Sequence, residues 1–202
     1  MPIRRRIKIA VVDSGICAGH VHVGSVAGGV CFAGEGGALD LLGHGTAVAG
    51  AIRQWAPDAD LYAVKVFDRR LSATIETLLR ALEWCSDQAM DFVNLSLGTA
   101  NRAHRERFLA VLGPRPLVVS PGALLPGSLP DVVGVEVDAA CRRDAFRYRD
   151  GKFYASPFPR PIPGVPVERN LSGVSFAVAN VIGLAAASHL TTREALIRSV
   201  TH

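Results

Sequence analysis

Short apolar runs alternate with longer amphipathic stretches along most of the chain. Runs that are apolar at every position and rich in β-branched residues are typical of strands buried on both faces of a parallel sheet. The predicted strands cover residues 7–12, 29–33, 60–67, 91–97, 116–120 and 131–137. Between them, apolar residues recur with the period of a helix instead of that of a strand.

The most regular helical pattern spans residues 72–88. Its apolar stripe consists of Ile75, Leu78, Leu79, Leu82 and Cys85. Ser72 stands where an N-cap is expected. Further helices are predicted from near residue 44 onward, at 100–112, at 173–190 and at 191–201, the last capped by Thr191 or Thr192. The 173–190 segment is apolar on all sides, which predicts a fully buried helix.

Strands that alternate with helices predict an α/β fold in three layers, with a mostly parallel central sheet and helices on both faces. Residues 148–153 contain an Asp150-Gly151 pair and are predicted as a hairpin, whereas the proline-rich stretch 157–166 is predicted as a surface loop. No internal repeat or linker interrupts the pattern. We therefore predict a single domain over residues 1–202.

Composition narrows the class of protein further. The chain is 49% hydrophobic with a net charge of +4, and no apolar run reaches the roughly 18 residues of a membrane span. The basic N-terminus is not followed by the apolar segment of a signal peptide, and the four cysteines form no C-x-x-C pair. We therefore predict a cytoplasmic protein with reduced thiols and no membrane partner.

The arginines are scattered instead of forming a basic stripe on one helix, so we predict no nucleic-acid partner. Their densest groups are Arg4–Arg6, Arg102–Arg107 and Arg142–Arg149. A solvated surface explains these groups most simply, and an anionic peptide partner is the sharper alternative. His20 and His22 lack the cysteine or carboxylate cluster of a metal site, so we predict no metal and no cofactor.

Three reactive side chains stand at the ends of predicted elements. Asp13 follows the first strand, His44 opens a helix between two glycines, and Ser175 begins the most apolar helix. A hydroxyl at a helix N-terminus lies near amides that favour a developing negative charge. Serine needs an imidazole to accept its proton, and the imidazole needs a carboxylate to fix its tautomer. The three residues can therefore form a nucleophilic triad.

Four short motifs carry a resemblance to a known family. "DSG" at Asp13, "GHGT" at His44, "NLSLG" at Asn94–Gly98 and "SGVSFA" at Ser172–Ala177 resemble the signatures of the subtilisin-like serine proteases, in the same order. The resemblance implies an acyl-enzyme on Ser175, with His44 as general base and acid and Asp13 as the orienting carboxylate. It also implies that Ser96, Leu97 and Gly98 pair with an extended peptide or protein substrate.

The resemblance breaks down at the oxyanion hole. The family carries "A-A-G-N" where this chain has Ser120, Pro121, Gly122 and Ala123, so Ala123 replaces the asparagine that donates to the oxyanion. Ser120–Gly122 are still expected to line the substrate cleft. Another donor, such as Asn180, Ser120 or the substrate itself, can fill the hole; alternatively, hydrolysis has been lost and a peptide-binding module remains. The first alternative predicts a slow, substrate-dedicated peptidase that cleaves or transfers a peptide bond and matures a ribosomal peptide together with a partner protein.

Overall fold

Eight strands form one central sheet, which the computed structural model describes over residues 5–35 and 37–201. The strands are β1 (Lys8–Asp13), β2 (Gly28–Cys31), β3 (Asp60–Lys65), β4 (Phe92–Leu95), β5 (Leu117–Pro121), β6 (Val133–Val137), β7 (Phe146–Arg149) and β8 (Lys152–Ala155). Their order across the sheet is β2-β3-β1-β4-β5-β6-β8-β7. Neighbouring strands are parallel except for β7, which runs antiparallel to β8. The predicted mostly parallel α/β sheet is confirmed.

Five helices cover the sheet. They are α1 (His44–Trp55), α2 (Ile75–Asp87), α3 (Arg105–Val111), α4 (Val174–Ala187) and α5 (Arg193–Val200). Short 3₁₀ turns precede α3 at Arg102–His104 and α4 at Val167–Arg169. None of the helices in residues 5–35 and 37–201 has the length and apolar character needed to cross a membrane.

The alternation of side chains along each strand divides the core between the two faces of the sheet. In β1, Ile9 and Val11 pack with α1, α4 and α5 on one face. Ala10 and Val12 pack with α2 and α3 on the other face. The prediction of three layers is therefore confirmed, because every central strand buries both of its faces under helices.

Several local predictions need correction or sharpening. The N-cap of α2 is Thr74, whose hydroxyl accepts a hydrogen bond from the Thr77 amide, so the prediction of Ser72 was wrong. Both residues carry a hydroxyl, but the cap lies two residues later than predicted, directly before the first residue of the apolar stripe. The proline-rich stretch is a surface loop only in part, because Pro157 and Pro159 are buried. Arg4 of the predicted basic group, like residues 1–3, 36 and 202 of the predicted domain, lies outside the described residues.

Other local predictions are confirmed. Asp150 and Gly151, with φ of 51° and 79°, form the two-residue turn between β7 and β8, as left-handed geometry at both positions requires. Thr192 caps α5 by accepting a hydrogen bond from the Ala195 amide. Buried side chains line all sides of α4, and this helix packs closely on α1.

Close backbone contact fixes the beginning of α1 against the loop that follows β1. A Cβ atom placed on Gly45 would lie 2.2 Å from the Gly15 carbonyl oxygen and 3.1 Å from the Asp13 Cβ. Only glycine fits there without moving one backbone segment away from the other. The residue after His44 thus determines how closely α1 approaches the end of β1.

We expect Gly45→Ala to lower the free energy of unfolding by about 1–3 kcal/mol, because the added methyl overlaps a backbone atom. Gly113→Ala is the matched control, since its Cβ would lie 3.7 Å from the nearest atom, the Arg115 carbonyl oxygen, at ordinary contact distance. Urea unfolding of both variants measures the difference. Equal stability of the two variants would contradict the proposed close contact.

Candidate active site

The buried carboxylate of Asp13 and the imidazole of His44 form the centre of the site. Asp13 is the last residue of β1 and has no solvent exposure, and His44 is the first residue of α1. His44 Nδ1 lies 2.8 Å from Asp13 Oδ1 and 2.9 Å from Oδ2. This geometry places the proton on Nδ1 and leaves Nε2 free to accept another.

A second carboxylate, Asp40, holds the loop that leads into α1. Its Oδ1 accepts hydrogen bonds from the amides of Leu42 and Gly43 and from the Ser14 hydroxyl, at 2.8–2.9 Å. Its Oδ2 accepts the amide and the hydroxyl of Thr46, at 2.8 and 2.6 Å. These bonds tie the two ends of the loop together around a single side chain.

Ser14 connects the two carboxylates. Its amide donates to Asp13 Oδ1 at 2.8 Å, and its hydroxyl lies 3.2 Å from the same oxygen and 2.8 Å from Asp40 Oδ1. The Ser14 hydroxyl also accepts the Gly45 amide at 3.0 Å. The sequence analysis missed Ser14 and Asp40. The signal for Asp40 was its position two residues before the amide that it caps, which is typical of an Asx turn.

Hydrogen bonds and nearby charges shift the pKa values of two residues of the site, Asp40 and His44. Burial alone would raise the pKa of Asp40, but the hydrogen bonds from Thr46, Ser14 and Leu42 outweigh it and lower that pKa. Burial alone would lower the pKa of His44, but the hydrogen bond and charge of Asp13, together with the charge of Asp40, raise it above its ordinary value of 6.5. The site therefore strengthens the imidazole as a base.

Ser175 is the second residue of α4, and the residue after it carries a ring that lies near the imidazole of His44. The ring of Phe176, the next residue, lies 5.9 Å from the His44 ring. The Ser175 hydroxyl donates to the Ser96 carbonyl at 3.3 Å, and among the described residues it makes no hydrogen bond to His44. As a residue of the first helical turn, Ser175 has a backbone N–H without an intrahelical partner.

The predicted substrate-binding segments lie side by side next to Ser175. Ser96, Leu97 and Gly98 follow the end of β4, and Ser120 and Pro121 end β5. The Ser120 hydroxyl donates to the Leu97 carbonyl at 3.2 Å. The amide of Gly122, just beyond β5, donates to the Val135 carbonyl at 2.9 Å.

One pairing in this region was not expected. Thr99 and Leu125 exchange two backbone hydrogen bonds of 2.9 Å as an isolated antiparallel bridge. The bridge brings Leu124 against Gly98, where a Cβ atom would lie 2.7 Å from the Leu124 Cβ. It therefore closes the far end of the edge formed by Ser96–Gly98.

The predicted oxyanion position lies in the turn after β5. Ala123 is exposed and has no side-chain donor. The suggestion that Asn180 replaces that donor was wrong, because Asn180 is fully buried and its amide is already used. Its Nδ2 donates to the carbonyls of Ser156 and Phe158, at 3.1 and 3.0 Å, and its Oδ1 accepts the Trp55 indole N–H.

His20 and His22, weighed above as a metal pair, have their rings 5.4 Å apart in a T-shaped contact. Over residues 5–35 and 37–201, no group of three or more His, Cys, Asp or Glu side chains could hold a metal ion.

Comparison with known proteins adds the family. The family model of the subtilases (peptidase S8) matches residues 4–115, which include Asp13, His44 and Ser96–Gly98 but neither Ala123 nor Ser175. A thermostable alkaline protease of Halalkalibacterium halodurans is 33% identical over 208 residues, covering 89% of this chain and 55% of that protein.

Two other relatives match a shorter stretch. Subtilisin DY of Bacillus licheniformis is 34% identical over 101 residues, which is 46% of this chain and 37% of that protein. The minor extracellular protease Epr of Bacillus subtilis is 40% identical over 107 residues, which is 48% of this chain and 16% of that protein. The chain thus spans between 16% and 55% of the length of these three relatives.

A solved structure agrees on the fold. The crystal structure of a cold-adapted subtilisin-like serine proteinase superposes with a TM-score of 0.69 at 19% identity, over 95% of this chain and 80% of that one. At 19% identity the superposition shows only that the two proteins share a fold. The family model, which matches more than half of the chain, and the relative that covers 89% of it show that the chain belongs to the subtilase family, the subtilisin-like serine proteases.

Proposed function

We propose that the chain is a serine peptidase that forms an acyl-enzyme on Ser175. The observation that carries the proposal is the buried Asp13–His44 pair, with its two contacts of 2.8 and 2.9 Å, placed next to the residue that follows Ser175. A carboxylate that orients an imidazole in this way prepares it to accept a serine proton.

In the first step, the Ser175 hydroxyl turns from the Ser96 carbonyl toward His44. Its proton passes to His44 Nε2 while Oγ bonds to the carbonyl carbon of the scissile peptide. The resulting imidazolium is stabilised by Asp13 and then donates its proton to the leaving amine, which breaks the C–N bond. Water attacks the acyl-enzyme in the same manner, with His44 again accepting and returning the proton.

The oxyanion formed in both steps has the Ser175 amide as its donor. In subtilisin itself, removal of one oxyanion-hole donor lowers kcat by about 10²–10³. Ala123 offers no such donor, so we infer a slow peptidase dedicated to few substrates. The crowding of Gly98 by Leu124 supports narrow selection, because it restricts the side chains that fit beside this edge.

We further propose that the substrate is a ribosomally made peptide that this chain matures in the cytoplasm, together with a partner protein. What supports this is the combination of a selective cleft with a weakened oxyanion hole, which suits one dedicated cleavage better than general degradation. Four free cysteines are compatible with a reducing compartment.

A binding module that has lost hydrolysis is the second candidate. The hydrogen bond from Ser175 to the Ser96 carbonyl favours it, since the hydroxyl is engaged away from His44. The exposed Ala123 favours it as well. Both candidates use the same cleft, and they differ in whether Ser175 forms a covalent bond.

We expect a fluorophosphonate probe to label the wild-type chain on Ser175 between about pH 6 and pH 9. Ser175→Ala should abolish the labelling. Ser188→Ala is the matched control, because Ser188 lies exposed at the other end of α4 and should leave the labelling unchanged. A wild-type chain that stays unlabelled over this range would leave only the binding module.

The rate of labelling should rise with pH through the pKa of His44, because only the neutral imidazole accepts the serine proton. That pKa is expected above 6.5. Asp40→Asn removes a negative charge that raises it and should therefore shift the acidic limb to lower pH. Asp87→Asn, at an exposed position of α2, is the control. Titration of the His44 ring by NMR gives the same comparison without the probe, and an unchanged His44 pKa in Asp40→Asn would refute the coupling.

Ala123→Asn should raise kcat on a generic peptide ester, by up to about 10²-fold, because it restores an amide donor at the oxyanion position. Ala123→Asp is the matched control, since it has a similar size but no N–H to donate. Because residue 123 is exposed, neither change is expected to affect folding. If the two variants hydrolyse the ester equally, the side chain at 123 does not reach the oxyanion.

A further inference from the structure

A cavity of about 630 Å³ opens beside the beginning of α1. Its walls come from the loop that contains His20 and His22, from Gly43, Thr46 and Ala47, and from the loop of residues 159–171. We call it the basic cavity, because two arginines of the last loop, Arg160 and Arg169, line it together with both histidines. The catalytic scheme above uses none of these four side chains.

The positive charge of the basic cavity is not balanced by ion pairs. Among the described residues, neither Arg160 nor Arg169 forms a salt bridge, and the same holds for Arg143 behind Arg160. Arg160 donates only to the His22 carbonyl, at 3.1 Å. Glu168 precedes Arg169 in the chain without pairing with it. Burial lowers the pKa of His22, and the charges of Arg160 and His20 lower it further, as expected of a positive environment.

One carboxylate, Asp40, also lines the cavity and offsets part of the positive charge of the two arginines. Asp40 accepts five hydrogen bonds from Ser14, Leu42, Gly43 and Thr46. Its oxygens are therefore engaged in holding the loop and are not directed to the arginines. In contrast, His20 retains a donor, since its Nδ1 accepts the His22 amide at 3.2 Å and its proton is then on Nε2. The free donors of the cavity suit an anion.

Exposed apolar side chains cluster around the basic cavity. Of the eleven large apolar side chains that are exposed in the described residues, eight belong to the segments that form or flank the cavity. They are Val21, three leucines between residues 39 and 42, and four residues between 162 and 171. Val21 alone is 84% exposed. Apolar side chains gathered around a charged cavity are typical of a peptide-binding surface.

The position of the cavity tells which part of a substrate would enter it. Gly43 in its wall precedes His44, and Leu171 lies four residues before Ser175. A separate cavity of about 320 Å³ lies at Leu97–Thr99, where the acyl part of the substrate is expected, and the two cavities share no residue. The basic cavity therefore begins at the residue before His44 and lies apart from the acyl side, so we assign it to the segment that leaves as the amine.

We propose that the basic cavity binds a carboxylate in the part of the substrate that leaves as the amine, through Arg160, Arg169 and His20. The carboxylate belongs either to an acidic side chain or to the C-terminus of the peptide. Guanidinium groups bind both equally well, because they recognise the planar carboxylate itself. This inference rests on the proposed peptidase function for the direction of the substrate.

Binding to the full chain carrying Ser175→Ala tests the cavity without turnover. The probes are the peptides Ala-Leu-Ala-Glu-amide, Ala-Leu-Ala-Gln-amide and Ala-Leu-Ala-Gln with a free C-terminus, titrated by NMR. We expect at least one carboxylate peptide to bind about tenfold more tightly than the neutral amide. Whichever of the two carboxylate peptides binds more tightly shows whether the cavity prefers an acidic side chain or the C-terminus of a peptide. The preference should weaken as salt is added.

Substitutions test whether the preference for a carboxylate peptide depends on Arg160 and Arg169. Adding Arg160→Gln or Arg169→Gln should bring the affinities of charged and neutral peptides close together. Arg198→Gln, at an exposed position of α5, should preserve the difference. Arg169 is itself exposed, so its replacement tests the cavity even if the change at Arg160 disturbs the fold. Equal binding of all three peptides, or a preference that survives both substitutions, overturns the proposal.

A second experiment distinguishes a failure of the cavity proposal from a failure of the proposed peptidase function. The wild-type chain is acylated with an activated ester, and the three peptides compete with water for the acyl group through their N-terminal amines. A carboxylate peptide should capture more of the acyl group than the neutral one, since it occupies the leaving side. If no acyl-enzyme forms, the peptidase function fails while the binding arm still decides on the cavity. If the acyl-enzyme forms and transfers equally to all three peptides, the cavity proposal fails while the peptidase stands.

Discussion

The carboxylate of Asp13, which has no contact with solvent, is the constraint around which this fold is organised. A charge that is removed from water is tolerated only if hydrogen bonds or an opposite charge replace the lost hydration. Here the replacement comes from the amide of Ser14 and from the His44 ring. Each partner belongs to a different segment, so satisfying the carboxylate also fixes where α1 begins relative to β1. Gly45 permits this approach because any side chain would collide with the loop.

The second carboxylate extends this arrangement outward. Asp40 does not touch His44, yet its charge raises the pKa of the ring and its hydrogen bonds hold the loop before the helix. A buried polar network of this kind is favourable only when every member is satisfied. Asp40 meets that condition through five donors, which are the Ser14 hydroxyl, the amides of Leu42 and Gly43, and the amide and hydroxyl of Thr46.

The sequence predicted those features that depend on neighbours along the chain. Asp13, His44 and Ser175 were identified as candidates because each stands at the boundary of a strongly patterned element, and the mostly parallel sheet followed from the alternation of those elements. It did not predict contacts between distant loops, such as the Thr99–Leu125 bridge or the link from Ser14 to Asp40. The oxyanion role suggested for Asn180 was wrong for the same reason. Its position in a helix does not reveal that its side-chain amide donates to the carbonyls of Ser156 and Phe158. Ser72 and Thr74 carry the same capping group, so only packing distinguishes them.

Selectivity and slowness follow from different parts of such a site. A missing oxyanion donor raises the barrier for every substrate by about 3–4 kcal/mol, because the lost hydrogen bond forms only in the transition state. A contact far from the reacting carbonyl, such as a carboxylate on Arg169, is equally strong before and during the reaction. It therefore favours one substrate over another through binding without restoring the rate of the chemical step. A chain with Ala123 at the oxyanion position and a charged cavity beside its base would choose its substrate well and convert it slowly.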